Sequence, residues 1–509
     1  MSKQFIVTRA PLLFWLLTGV IISLILWAGY LAATPWADDW IFIGRSASLA
    51  DAIGSTLTRL INWSPRPASE PTIFGSLYLA RKLGLAPESF IAPLLFASYL
   101  QSLSLLLWPA LLKRCRQLGY LSLALSIACV FMAVALTHHL QTREVLFWGA
   151  GSAAYLPTLA AWISTLCILY LWVVTRERLC FSVAVLQSFF GGLFWEVGIF
   201  GVILMPGTTL LLVYLFDQKS PGASVPRNYF PLLASVLLPF AGLVLVSLPA
   251  LLKRHQQDAA SGNPLLFGKL LLALQWPWVR AANLFAHHVL FVAPIVLLLA
   301  LLLLSQLRFS NSALPGSRLQ RQALLCCGLS ALLVAVAIRF CLASAFGMQM
   351  VHHQRHEVAP TVLLLLGLSF LLAAALPSNI MAWLAGQSLW IAFASMAVIV
   401  AALVSSASVH DILGEAMVTA TGRRPLPIVI SAAAHDGSYD LACRRNAYAL
   451  SLPAGEWTAA RIQAARIQAA IQAGSSAQDV YQLKIMHGIL SGYGLDRLTT
   501  TWQSSAGCS

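Results

Sequence analysis

Apolar stretches of about 20 residues, separated by polar or Pro/Gly-rich breaks, recur along most of the chain. Each is the length one α-helix needs to cross the hydrocarbon core of a bilayer. The pattern predicts about eleven spans, near 12–33, 90–112, 118–137, 153–175, 179–195, 198–216, 228–252, 289–307, 322–345, 358–376 and 380–405. Only Glu196 and Val197 separate the fifth from the sixth, so this pair also reads as one broken or re-entrant hairpin. The first stretch is too long for a signal-peptide core, and Thr34-Pro35-Trp36 after it is a poor cleavage site, so it counts as a span.

A different periodicity occupies the segment between the first two spans. Leu49, Ile53, Leu57, Leu60 and Ile61 recur at helical spacing, with Asp51, Ser55, Thr58, Arg59 and Asn62 on the opposite face, which predicts an amphipathic helix lying in the membrane interface. Ser48 and Asp51 have the spacing of a capping box at its start. A second helix is expected from Pro71 to Gly84, with Ile73, Leu77, Tyr78 and Leu83 at the membrane boundary, and Trp36, Trp40 and Trp63 suit the headgroup layer. The loop from Lys253 to His288 resembles another interfacial helix on anionic lipid. From Ser406 Gly, Ser and charges rise. Ile428 to Ser431 suits a short strand, and Ala459 to Ala473, with Ala-Arg-Ile-Gln-Ala in tandem, suits a helix. The chain thus divides into a membrane core, 1–405, and a small outer domain, 406–509. The fold class is an all-α polytopic membrane protein with interfacial helices in its first outer loop.

Composition agrees and gives the chain a direction. Hydrophobic residues make up 59% of it and charged residues 10%, with mean hydropathy +0.78, against about 25% charged in soluble proteins, which excludes a soluble multidomain enzyme. The net charge of +14 points to orientation and lipid headgroups before nucleic acid, and no basic, aromatic nucleic-acid module is visible. Lys113/Arg114/Arg116, Arg176/Arg178, Lys219/Arg227 and Arg308/Arg318/Arg321 fall on the same side as Lys3 and Arg9, which the positive-inside rule makes cytoplasmic. The loops 34–89, 138–152, 253–288 and 346–357 and the C-terminal region are then outside. No Walker or Rossmann glycine motif stands on the inner side, so chemistry is expected on the outer face, driven by an activated lipid, an ion gradient or the substrate itself. Of nine cysteines, Cys443 and Cys508 lie in the tail and can pair in an oxidising compartment; the other seven read as small core hydrophobes.

The outer segments carry the candidate chemistry. Asp38 and Asp39 stand side by side immediately after the first span, where one can act as a general base toward a hydroxyl and the other as a cap or metal ligand; a solvated turn with a helix cap is the alternative. In the second outer loop Glu144 can orient an acceptor or bind a metal, and Trp148 and Tyr155 can stack on a sugar face. The competing reading is a surface ion pair with Arg143 and membrane-belt aromatics. Glu196, in Phe194-Trp195-Glu196-Val197-Gly198, needs a polar cavity or a partner. Arg339 near the outer end of the ninth span, with His352, His353, Arg355 and His356 after it, offers donors matched to a phosphate, against snorkelling and a solvated loop. His352 and His356, four apart, suit one helix face without a clear third ligand, so no zinc site is assigned and a divalent cation is the candidate cofactor.

The many spans, Asp38-Asp39 directly after the first, the long first outer loop with interfacial helices and the acidic second loop together resemble the GT-C class of membrane glycosyltransferases, over roughly residues 1–405. Ala37-Asp38-Asp39-Trp40 followed by Trp63-Ser64-Pro65-Arg66 is similar to bacterial members that decorate surface polysaccharide or protein. The resemblance implies a polyprenyl-monophosphate (undecaprenyl-phosphate type) sugar donor, a periplasmic glycan, lipid or protein acceptor, and a place in a bacterial inner membrane with the N-terminus cytoplasmic. Asp38 or Asp39 would be the base, Asp39 preferred because Trp40 holds it at the interface, with Arg339, Arg355 and His356 on the phosphate and inversion at the anomeric centre. The class often has a second acidic motif; this sequence offers Glu144 without an Asp-x-Asp. The rival expectations are a multispanning transporter or flippase, with Arg339, Glu196 and the histidines along its path, and an O-antigen ligase or polymerase-like enzyme.

Overall fold

The computed structural model describes residues 38–85, 89–111, 119–138, 143–218, 229–260, 315–350 and 354–376, with short pieces at 380, 394–395, 397–398, 401–402, 450–451 and 501–502. These form α1 (Asp38–Gly44), α2 (Leu49–Asn62), α3 (Ser69–Lys82), α4 (Ile91–Leu111), α5 (Gly119–His138), α6 (Arg143–Leu146), α7 (Gly149–Thr175), α8 (Arg178–Phe194), α9 (Gly198–Gln218), α10 (Phe230–Ala260), α11 (Pro315–Met350) and α12 (Gln354–Ala375). The described fold is helical except for one antiparallel pairing of β1 (Leu450–Ser451) with β2 (Thr501–Trp502).

Among the described residues six helices are long and apolar enough to cross a membrane: Ile91–Pro109, Gly149–Thr175, Gly198–Gln218, Phe230–Ala250, Arg318–Arg339 and Val358–Ala375. The protein is accordingly a multi-pass membrane protein. The expected third and fifth spans are the helices α5 and α8, whose apolar runs are shorter. The expected first and eighth spans and most of the eleventh lie outside the described residues, as do the expected strand and helix of the tail.

α7 is the hub. Of its most apolar window 83% is inside the protein, against 17% for α10, so α7 is surrounded by helices and α10 is a rim element facing lipid. It packs against α4, α8, α9 and α11, and the α11–α12 hairpin closes the bundle beside α5. Glycines set these approaches. A Cβ on Gly201 would stand 2.1 Å from Trp162 Nε1, so the indole packs directly against the α9 backbone. Gly328 and Gly367 face each other where α11 crosses α12, each with the other's carbonyl about 3 Å from where a side chain would start. Buried polar bonds add direction to the packing: Thr209 and Ser330 join α9 to α11 at 2.9 Å, and Gln187 Nε2 donates to the Leu105 carbonyl at 2.7 Å.

The contacts also fix which ends of the helices lie together. The start of α7, the α8–α9 turn and the start of α12 form one end, the Glu196 end; the close of α7, the close of α9 and the start of α10 form the other, the Asp217 end. α10 and α11 both run from the Asp217 end toward the Glu196 end, since Tyr229 meets Asp217 and Lys253 meets Asn62 on the first, while Arg321 meets Leu376 and Arg339 meets Thr361 on the second.

α1, α2 and α3 lie over the Glu196 end. α2 begins with the expected capping box: Asp51 N–H donates to Ser48 Oγ at 3.1 Å, and Ser48 N–H to Asp51 Oδ2 at 3.1 Å. Leu49, Ile53, Leu57 and Ile61 are all more than half exposed along one side of α2, while Ala52 is buried, which is the amphipathic helix read from the spacing. α3 differs from expectation. It starts at Ser69, and Ile73 and Leu77 are buried against the bundle together with Phe74, leaving Leu79 and Leu83 outward.

Candidate functional site

The irregular stretch Ser64 to Pro67 links α2 to α3 and is fastened to the bundle at two points. Ala68 N–H donates to the Leu193 carbonyl at 3.0 Å, near the end of α8. Arg66 makes a two-pronged bond to Glu196, Nε to Oε2 at 2.5 Å and Nη2 to Oε1 at 2.9 Å, with both side chains largely shielded. The sequence required Glu196 to find a partner, and that partner is Arg66, in the Trp-Ser-x-Arg segment. The α8–α9 helix break at Trp195–Val197 holds this carboxylate at the bundle end without breaking a helix in mid-membrane. Burial disfavours a charged Arg66, but the adjoining Glu196, with lesser contributions from Tyr155 and Glu70, raises its pKa above the ordinary arginine value and holds it cationic.

Aromatic rings gather at the same end of the bundle. Tyr155, in α7, meets Trp195 edge-on at 4.9 Å between ring centroids and the His356 ring at 6.2 Å; Trp195 in turn packs on Trp162 at 6.1 Å. His356, in the first turn of α12, is buried. Tyr155 and Trp148 are buried too, so the faces expected to stack on a sugar are covered by protein for most of their area.

Asp39 is fully buried, and its Oδ1 accepts the Ala150 N–H at 3.1 Å. This is a cap on α7, where the unpaired amides and the helix dipole favour a carboxylate. It ties the first-loop acid motif to the helix that carries Tyr155. A second ion pair stiffens the same region: Arg59 Nε donates to the buried Glu70 at 2.7 Å, and the Arg59 guanidinium lies 4.8 Å above the Phe42 ring, which packs edge-on against Phe74.

Asp39, Tyr155, Glu196 and His356 are therefore brought to one end of the bundle. Arg339, on α11 and half-buried, has Nη2 3.4 Å from Thr361 Oγ1 on α12. Trp148 is the residue before α7, and Glu144 and Arg355 fall within α6 and α12; the side chains of Asp38, Glu144 and Arg355, and the whole of His352 and His353, lie outside the described residues. Among the described residues no three His, Cys, Asp or Glu side chains converge as a metal site. Arg66, Trp195 and Trp162 were not among the expected site residues. Arg66 was legible as the cation of the Trp-Ser-x-Arg segment, whereas the two tryptophans looked like ordinary apolar residues. Compared with family models, with curated proteins and with solved structures, the chain matches none of them.

Proposed function

We propose that the protein is a membrane glycosyltransferase of the GT-C kind, moving a sugar from a polyprenyl-monophosphate donor to a hydroxyl of an envelope glycan, lipid or protein at the periplasmic face of a bacterial inner membrane. The observation that carries the reading is the Glu196 end itself: a first-loop aspartate that caps α7, an arginine–carboxylate pair, a cluster of aromatic rings with a buried histidine, and an amphipathic helix with a bare apolar side leading into the Arg66 segment. A lipid-borne donor needs such a place, where its chain stays in the bilayer while its head meets polar groups.

In the reaction the acceptor oxygen bonds to the anomeric carbon, the bond from that carbon to the phosphate oxygen breaks with its electron pair on the phosphate, and the acceptor proton passes to a first-loop carboxylate. Direct displacement inverts the anomeric centre. Asp39 serves the α7 cap, so its neighbour Asp38 takes the proton and Asp39 fixes the loop. The departing phosphate is met by Arg339, Arg355, His352, His353 and His356, and Glu196 with Tyr155 addresses sugar or acceptor hydroxyls. On the positive-inside pattern we read this end, and the C-terminal region, as outside and the N-terminus as cytoplasmic.

The test is to incubate purified protein in lipid with a panel of polyprenyl-monophosphate sugars and candidate acceptors, and to measure release of polyprenyl phosphate. Turnover by the wild type, abolished in the Asp38→Asn/Asp39→Asn double variant, is expected. Folded protein that releases none from any donor overturns the reading.

A further inference from the structure

Away from the Glu196 end, α7 and α8 bury a group of polar side chains near the middle of both helices. Two contacts fix the register of this antiparallel pair. Thr158 Oγ1 donates to the Gly191 carbonyl at 2.9 Å, and the rings of Trp172 and Phe181 meet at 4.6 Å between centroids. Residues between these contacts pair in order, which puts Ser164 and Thr165 level with Gln187 and Ser188. Helical spacing puts them on the facing sides as well. A Cβ on Gly191 would stand 2.9 Å from Ala161 Cβ; Gln187 and Ser188 lie one turn before Gly191, and Ser164 and Thr165 one turn after Ala161. α4 closes the group, since Gln187 Nε2 donates to the Leu105 carbonyl at 2.7 Å and Leu105 packs with Ala160 and Ala161.

All four side chains are buried, with 1% of Ser164 and none of Thr165, Gln187 or Ser188 exposed. Ser164 Oγ, Thr165 Oγ1, Gln187 Oε1 and Ser188 Oγ have no hydrogen-bond partner among the described residues. The hydroxyls of α4 behave differently. Ser98 and Ser102 each donate to the carbonyl four residues back, at 2.8 and 2.6 Å, and so are satisfied by their own helix. Unmet polar atoms gathered at one level inside a bilayer are costly, because neither bulk water nor hydrocarbon supplies their bonds. Charge decides which ligand suits them. α4, α7 and α8 contain no Asp, Glu, Lys or His, and their one arginine, Arg178, is exposed at the start of α8, so an ion here would lack a countercharge on these helices. Three hydroxyls that donate and accept, with one amide oxygen that accepts, match a neutral molecule able to do both, which is water.

We propose that Ser164, Thr165, Gln187 and Ser188 hold buried water between α4, α7 and α8 near the middle of the bundle, as a fixed neutral ligand that bridges α7 to α8. The site is separate from the Glu196 end and does not depend on the glycosyltransferase reading. It still bears on that end, because α8 runs on from Gln187 to Phe194 and then to Trp195 and Glu196. Groups that share one water act as a unit: removing any of them unsettles the bonds of the rest, and removing a second adds little.

The experiment follows magnetisation transfer from water to side-chain amides by solid-state NMR, on full-length protein isotope-labelled at glutamine in lipid bilayers, and records thermal unfolding of the same samples. The Gln187 signal is identified by its loss in Gln187→Leu. In the wild type it should receive magnetisation from water. Thr165→Val/Ser188→Ala should reduce that transfer several-fold while the amide of Gln101, which donates to Thr72 Oγ1 at 3.1 Å, is unchanged. Thr165→Ser keeps the hydroxyl and should keep most of the transfer. Thr165→Val and Ser188→Ala should each lower the unfolding midpoint by a few degrees, and the double variant by no more than the worse single one. Should the double variant fail to fold, Thr165→Val alone carries the same expectation. Absence of water transfer to Gln187 in the wild type, or transfer unaltered by Thr165→Val and by the double variant, overturns the proposal. Coupled midpoints without transfer overturn it in favour of a direct bond between Thr165 and Ser188. A midpoint that rises in sodium chloride over choline chloride at equal ionic strength, and loses that rise in Thr165→Val, overturns water in favour of a cation.

Discussion

Each end of the bundle is closed by an arginine–carboxylate pair, and the two pairs are built differently. At the Glu196 end Arg66 comes from an irregular loop and grips both oxygens of Glu196, and Tyr155, Trp195 and His356 pack on one another at the same end. At the Asp217 end Arg176 is the residue that stops α7, in the left-handed region at φ 59°, and one of its nitrogens reaches Asp217 Oδ1 at 2.9 Å. Tyr229 donates to the other oxygen of Asp217, so the start of α10 and the ends of α7 and α9 are clasped by backbone-adjacent groups. A clasp needs only its own members. The Glu196 pair is flanked by more donors, rings and acids than holding three segments requires, and that surplus is where the chemistry is proposed.

The largest expected effect separates the ends by activity. Asp38→Asn at the Glu196 end should lower transfer by about a hundred- to ten-thousandfold, the range for loss of a general base. Tyr229→Phe, which removes the hydroxyl from Asp217, should leave donor turnover within about twofold of wild type in the polyprenyl-phosphate release assay. If the tyrosine variant loses as much as the aspartate variant, the division of labour between the ends fails.

Stability should sharpen the contrast next. Arg66→Gln removes the two-pronged bond to Glu196 in a mostly shielded position and should cost about 2–3 kcal/mol, below the full value for a buried pair because both groups retain some solvent. Arg176→Gln leaves the more exposed Asp217 with Tyr229 and should cost about 1 kcal/mol. Thermal unfolding in detergent ranks the two, and the reverse order would make the Asp217 clasp the stronger of the pair.

Within α9 two glycines probe how tightly each part is packed. Gly201→Ala places a carbon against the Trp162 indole and should cost about 1–3 kcal/mol while disturbing Trp195, which rests on Trp162. Gly207, further toward the Asp217 end, has open space for 4 Å around the point where a Cβ would sit, and Gly207→Ala should be neutral or stabilise by up to about 1 kcal/mol. The two melting curves and the tryptophan emission of each variant check this; similar losses at both positions would mean that packing is uniform along α9.

Span positions and α2 were legible because both are set by periodicity within one segment: Leu49, Ile53, Leu57 and Ile61 at helical spacing, and apolar runs of bilayer length. Asp39 as a helix cap was one of two readings of an acidic pair, and only its contact with Ala150, far along the chain, distinguishes them. Arg66 with Glu196 is the same kind of case, since a carboxylate at a helix break announces that it needs a partner without saying which. Ile73 and Leu77 were expected at the membrane boundary because an apolar helix face looks the same whether lipid or protein covers it. Trp162 gave no signal at all, because its site is made by the absence of a side chain at Gly201 on another helix.

The smallest effect tests whether α2 belongs to the Glu196 end in function or only in place. Ser48→Ala removes one half of the capping box while leaving the apolar side of α2 and both arginines unchanged, and should cost about 1 kcal/mol locally. Because α2 leads into the Trp63–Arg66 segment, loosening its start should reach that segment as a modest fall in polyprenyl phosphate release, with the global melting temperature nearly unaltered. Protection of the α2 amides in hydrogen exchange should fall in the same variant while that of the α10 amides from Leu233 onward holds. A drop in α2 protection with no change in polyprenyl phosphate release would mean that the helix anchors the protein at the interface and takes no part in the work of the Glu196 end.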